Sequence, residues 1–207
     1  MKRFYAIVLA IILFAAFTYS CNVVKEVSNT LTNISRLQFK LAHVNNFKLA
    51  GINLENKRNI NDISMMDGVK LTKAFATKNM PATFILNVEA KNPNDGSGGS
   101  PKTSATMTGF DWKLYIDGKE TIAGNIANPI TVPGTGQATY IPLSIELDLY
   151  DFFANKGYDD ILKLAMAIGG VNGSTSRLTL DAKPTVKTSF GPMTYPGRIK
   201  IVDKEWN

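Results

Sequence analysis

"TYIPLSIELDL", Thr139–Leu149, decides the fold. Thr139, Ile141, Leu143, Ile145, Leu147 and Leu149 share one parity, while Tyr140, Pro142, Ser144, Glu146 and Asp148 share the other. A period of two is that of a strand with one face in a core and the other in water. A strand buried on both faces of a parallel sheet would be apolar throughout. Pro142 has no N–H to give a ladder, so this strand belongs at a sheet edge or carries a bulge.

The same pattern repeats outward from it. Upstream, Phe84, Leu86, Val88 and Ala90 face one way, and Asn87, Glu89 and Lys91 the other. That strand runs into Asn92-Pro93-Asn94. Pro93 removes a donor and forces its predecessor to be extended, while asparagine side chains bond nearby backbone, so the tripeptide reads as a structural stop. Beyond a Gly/Ser/Pro-rich loop, Phe110, Trp112, Leu114 and Ile116 share a face. Asp117-Gly118 then predicts a two-residue hairpin into Lys119–Gly124. "ANPITVPGTG" reads as a turn-rich edge segment.

Leu178, Leu180 and Ala182 predict a later strand, and Ile199 and Ile201 a last one. Near the start, Leu37, Phe39 and Leu41 begin a strand whose phase breaks at Val44. A bulge or turn at Asn45-Asn46 would restore it. Two helices interrupt the strands. Residues 62–79 carry an amphipathic stripe with Asp62 as N-cap; its Met65 and Met66 could suggest a binding face but read in preference as gap-filling core residues. Residues 158–169 bury Ile161, Leu164, Ala165 and Ile168, with Asp159 and Asp160 suiting the helix N-terminus. The expected fold is mostly β: an immunoglobulin/fibronectin-III-like antiparallel sandwich with one or two helices.

The N-terminus points to export. Lys2 and Arg3 precede the apolar run Phe4–Phe17, which is shorter than the ~20 residues of a spanning helix. Residues 1–20 therefore read as a signal peptide, in preference to an uncleaved anchor. Cys21 is the chain's one cysteine. The order "TYSC" resembles the lipobox of bacterial lipoproteins, in looser forms such as those of Bacteroidetes, although Thr18 and Tyr19 depart from the commonest pattern. The resemblance implies a diacylglycerol on the Cys21 sulfur and a membrane partner. Residues 21–36 then read as a lipidated tether and 37–207 as a single domain. "CNVVKE" lacks the acidic cluster that would resemble the surface-export signals of Bacteroidetes lipoproteins, so the resemblance implies the periplasmic face of the outer membrane.

Removing residues 1–20 leaves 21 basic against 17 acidic side chains. The lysines are scattered and not interleaved with stacking aromatics, so nucleic acid is not an expected partner. His43 is the chain's one histidine, which argues against the usual His-rich zinc site and a Ser-His-Asp triad. Asp148 with Asp151, and Asp159 with Asp160, are near in sequence but suit structural roles. No enzyme, metal or cofactor is expected.

"FILNVEAKNPN" followed by "GFDWKLYIDGKETIAGNIANPITVPGTGQATYIPLSIEL" resembles the late-embryogenesis-abundant type 2 domain, also called the water-stress and hypersensitive-response domain. The likeness spans 84–149. It implies a fibronectin-III- or immunoglobulin-like sandwich and a protective role, with no catalytic residues to carry over. The leading expectation is a non-enzymatic, lipid-anchored envelope protein that binds or protects. Two alternatives stand beside it. One is a carrier of a lipid or other apolar ligand under Phe84, Phe110, Trp112, Phe152 and Phe153; the other is an assembly module pairing with an envelope protein through an edge strand.

Overall fold

The computed structural model describes residues 26–55, 57–97, 101–169, 175 and 177–207. The signal segment and Cys21 lie outside the described residues. Two antiparallel sheets form the body. The first takes the order β2-β1-β3-β7, from β1 (Gln38–Leu49), β2 (Ile52–Asn53), β3 (Pro81–Lys91) and β7 (Ala138–Asp148). The second takes the order β10-β8-β4-β5, from β4 (Ala105–Ile116), β5 (Lys119–Gly124), β8 (Leu178–Thr188) and β10 (Ile199–Ile201). β6 (Ile130–Val132) also pairs with β4, and β9 (Gly191–Thr194) with β8. "ANPITVPGTG" therefore contributes a paired strand as well as turns.

The alternating residues turn inward as the period requires. Ile141, Leu143, Ile145 and Leu147 of β7, Phe84 to Ala90 of β3, and Phe110 to Ile116 of β4 bury every second side chain, and β3 buries Asn87 besides. Phe39 and Phe110 touch across the two sheets with ring centroids 5.5 Å apart. Asp117 and Gly118 both take positive φ, 50° and 76°, the backbone that a tight hairpin needs. β1 holds two irregularities where one was expected. The register against β3 slips between Leu41 and His43 and again between Asn45 and Lys48, with Asn46 at φ 56°. Each slip adds one residue, which brings Leu41, Val44 and Phe47 onto the same buried face.

Among the described residues four α-helices accompany the sheets, against the one or two expected. Residues 26–35, read as tether, form α1, with Ile34 buried. β7 ends in a short helix, α3 (Leu149–Phe153), with Asp148 as its N-cap. α4 (Tyr158–Gly169) buries Ile161, Leu164, Ala165 and Ile168. Its last residue lies so close to Phe47 that a Cβ there would sit 2.0 Å from the ring.

α2 (Met65–Ala76) is shorter than the 62–79 expected. Asp62 does not cap it: its carboxylate accepts from Arg58 N and Asn59 N at 2.6 and 3.2 Å, closing a 3-10 turn at Ile60–Asp62. Ser64 is the N-cap and accepts from Asp67 N at 3.1 Å. Lys78, at φ 58°, turns the chain out of the helix. The methionines are not core. Leu71 is the residue α2 buries, while Met65 and Met66 are 87% and 73% exposed. The apolar spacing was real, but Leu71, Ala74 and Phe75 form the face that packs inward.

Candidate functional site

β3 ends where its sequence stops alternating, and Asn92, Pro93 and Asn94 form a corner between the two sheets. Asn92 is fully buried. Its amide nitrogen donates to the carbonyls of Thr103 (2.7 Å) and Val132 (3.2 Å), reaching β6 and the chain entering β4. Its Oδ1 accepts from the backbone and side-chain nitrogens of Asn94 at 3.1 and 2.9 Å. Its own carbonyl accepts from Gly136 N. Asn94 Nδ2 in turn donates to Asn33 O at 2.9 Å, joining α1 to the body. Asn94 O accepts from Thr103 N at 3.0 Å.

This corner works by hydrogen-bonding backbone that no ladder reaches, which is what buried amides do at low cost. Its closeness excludes a side chain at Gly134, where a Cβ would lie 2.3 Å from Asn94 O and 2.4 Å from Thr103 O. A groove of about 150 Å³ runs beside it, with Thr30, Asn33, Asn94, Thr103 and Lys187 among its lining. Asn94 Oδ1 is buried with no hydrogen-bond partner among the described residues, as is Trp112 Nε1.

The other candidate residues are dispersed. His43 stands beside the first irregularity of β1, its ring edge-on to Tyr140 at 5.6 Å. Asp148 caps α3 and also accepts from Met80 N at 2.9 and 3.0 Å, so it locks the start of β3 to the end of β7. Asp159 and Asp160 lie in the first turn of α4. Phe84, Phe110, Trp112 and Phe153 are buried in the core, and Phe152 packs against it. Among the described residues no three His, Cys, Asp or Glu side chains gather as a metal site, and no helix is long and apolar enough to cross a membrane.

Charge is gathered on the outer face of the second sheet. Glu120 accepts from Lys113 Nζ (2.9 Å) and Tyr115 Oη (2.8 Å), and these bonds hold its carboxyl below the usual range. The same carboxylate raises Tyr115 and Lys113. Burial pulls the Arg198 guanidinium down, but Asp111 and Asp181 outweigh it and leave it raised.

Two features escaped the sequence reading. One is the exposed face of α2, whose methionines the sequence placed in the core in preference to a binding face. The other is the C-terminal segment, where Val202 O accepts from Leu41 N (2.9 Å) and Asn207 brackets Phe39 through backbone and side chain. Trp206 lies under Lys91 and Lys40, 4.0 and 5.0 Å from its ring centroid. A tryptophan within the mostly polar run 202–207 was the available signal.

No protein-family model and no curated protein matches the chain. Among solved structures, a protein from Archaeoglobus fulgidus is 13% identical at a TM-score of 0.33, covering 61% of this chain and 82% of that one. A solution structure described as that of a late embryogenesis abundant (LEA) protein is 14% identical at a TM-score of 0.35, covering 91% of this chain and 85% of that one.

Proposed function

We propose that the chain is a non-catalytic, lipid-anchored protein of the bacterial cell envelope whose β-sandwich has a binding or stress-protective role. The observation that carries this reading is the use made of buried polar groups. Among the described residues these are Asn87, Asn92, Asn94 and Thr175. The three asparagines donate to backbone carbonyls and hold strands and α1 in place. Acids and bases pair at exposed or half-exposed positions of the surface, where an ion pair contributes little. The lipobox-like "TYSC" supplies the anchor at Cys21, and the water-stress domain resemblance at 84–149 supplies the protective role.

The carrier reading is weaker because the inner faces touch where a ligand would have to lie. Phe39 of the first sheet meets Phe110 of the second at 5.5 Å. The assembly reading is weaker because Pro142 interrupts the free edge of β7.

The test is to express the full chain in a bacterial host, fractionate the envelope and weigh the N-terminal fragment. The expected result is cleavage before Cys21, an added diacylglycerol and membrane retention, with Cys21→Ser released and unmodified. A soluble, unmodified wild-type chain overturns the anchoring. For the protective role, a drying-labile enzyme is desiccated with the purified domain or with an equal mass of albumin. Recovery no better than with albumin counts against protection.

A further inference from the structure

α2 leaves three large apolar side chains in water. Met65, Met66 and Val69 are 87%, 73% and 66% exposed. The helix does not need them for packing, because it is held from the opposite side. Leu71 is buried there, and the Phe75 ring meets Tyr150 and Tyr158 edge-on at 5.6 Å each. At 3.6 residues per turn, Met65, Val69, Lys73 and Met66 fall within an arc of about 100° centred opposite Leu71. The outward face is thus apolar at its N-terminal end and basic further along.

A second feature adjoins it. A groove of about 300 Å³ separates α2 from Ala50 and Pro81, and Lys70, Lys73, Thr77 and Asn79 line it. Over residues 57–79 there are five basic side chains, Lys57, Arg58, Lys70, Lys73 and Lys78, against two acids. Both acids are engaged: Asp62 by the backbone of Arg58 and Asn59, and Asp67 by Ser64 and Lys70. Both acids keep their charge, and Lys70 shares its own with Asp67 at 3.5 Å, but five bases against two acids still leave a surplus of positive charge beside an apolar tip. A bilayer with anionic headgroups offers the complementary order, phosphates outermost and acyl chains beneath. Flexible methionines suit such a disordered boundary, and lysine stems can lie along it with their ammonium groups among the phosphates.

We propose that α2 docks on an anionic lipid surface, with Met65, Met66 and Val69 entering the acyl boundary and Lys70 and Lys73 meeting the headgroup phosphates. This contact is separate from the Cys21 anchor. It is tested without it, using residues 22–207, which retain every described residue and no acyl chain.

The experiment is flotation with vesicles of phosphatidylethanolamine and phosphatidylglycerol, and with vesicles of phosphatidylcholine alone. The chain is expected to float with the anionic vesicles, to stay behind with the neutral ones, and to be released as ionic strength rises. Met65→Ser/Met66→Ser/Val69→Ser and Lys70→Glu/Lys73→Glu are each expected to weaken flotation about tenfold or more, with circular-dichroism melting still cooperative and shifted by no more than about 5 °C. No flotation by the wild-type domain overturns the proposal, as does flotation that neither variant weakens. Self-association in sedimentation that the apolar triple variant abolishes, without flotation, also overturns it and assigns the face to a second copy. Acylation of Cys21 is read on the full chain, so either outcome there leaves this one standing or falling alone.

Discussion

Asn92 concentrates at one residue what holds the end of β3. Its side chain makes two donations and two acceptances inside the protein, so Asn92→Ala strands two carbonyls and two donors on Asn94. Urea unfolding should show a loss of about 3 kcal/mol, the usual scale for buried groups left without partners. Asn92→Asp is a sharper test, because a carboxylate would face the carbonyls of Thr103 and Val132. Burial and those oxygens would raise its folded pKa above the unfolded value. Its relative stability should therefore be greatest in acid and fall as pH rises through the folded pKa. Stability of Asn92→Asp that rose with pH would contradict this geometry. Glu120 has the opposite sign. Its folded pKa is depressed by Lys113 and Tyr115, so its small contribution is present above its unfolded pKa and fades as pH falls through the folded one. Glu120→Gln should also lower the Tyr115 phenol, as carbon-13 shifts of the ring would report. The stop at Asn92-Pro93-Asn94 was legible from the chemistry of proline and asparagine. Its partners were not, since Val132 and Asn33 are remote in sequence and nothing local announces them.

At the scale of elements, a period of two says more than a period of 3.6. A strand with one wet face has a single way to point its apolar set, so β3, β4, β7 and β8 could be oriented from sequence. A helix stripe tells only which residues lie together, and in α2 two stripes compete. Met65, Met66 and Val69 form one; Leu71, Ala74 and Phe75 form the other and are the ones that meet the sandwich. Serine at all three outward positions should change stability by under about 0.5 kcal/mol per site, whereas Leu71→Ala should cost about 2–4 kcal/mol in the same thermal or urea measurement. α1 and α3 were missed because their helical face carries few apolar residues or only one turn. Edge strands show the same limit. Pro81 O accepts from Ala50 N, so alternate residues of β3 point toward β1 and the others toward β7. Through the register, Pro142 occupies a position whose missing N–H would have faced the open side of β7. Its place at an edge follows from its chemistry.

The whole molecule depends on how its two sheets are closed along the side where β1 ends the reach of β3. The chain leaves β10 in the second sheet and continues as residues 202–207 along the first. There it supplies Leu41 N with the Val202 carbonyl, takes the Phe39 carbonyl with Asn207 N, and gives the Asn207 side chain to Phe39 N. Trp206 lies against Lys91 and Lys40, and Lys40 also pairs with Glu89 at 3.4 Å, so this strap is tied to both β1 and β3. Without it, the backbone of Phe39 and Leu41 is a row of unmatched donors and acceptors on an apolar strand, the kind of edge that recruits another chain. A stop codon after Ile201 leaves β10 intact and removes the strap. Three hydrogen bonds and the aromatic contact together contribute about 2–4 kcal/mol, tempered by rehydration of the freed groups. The truncated domain should therefore melt earlier and, unlike the parent, sediment as larger species as its concentration is raised. Trp206→Ala should lose less, since the backbone bonds remain, and should stay monomeric. If truncation lowers stability without any self-association, the strap acts as a cross-tie between the sheets, and shielding of the β1 edge is not its role.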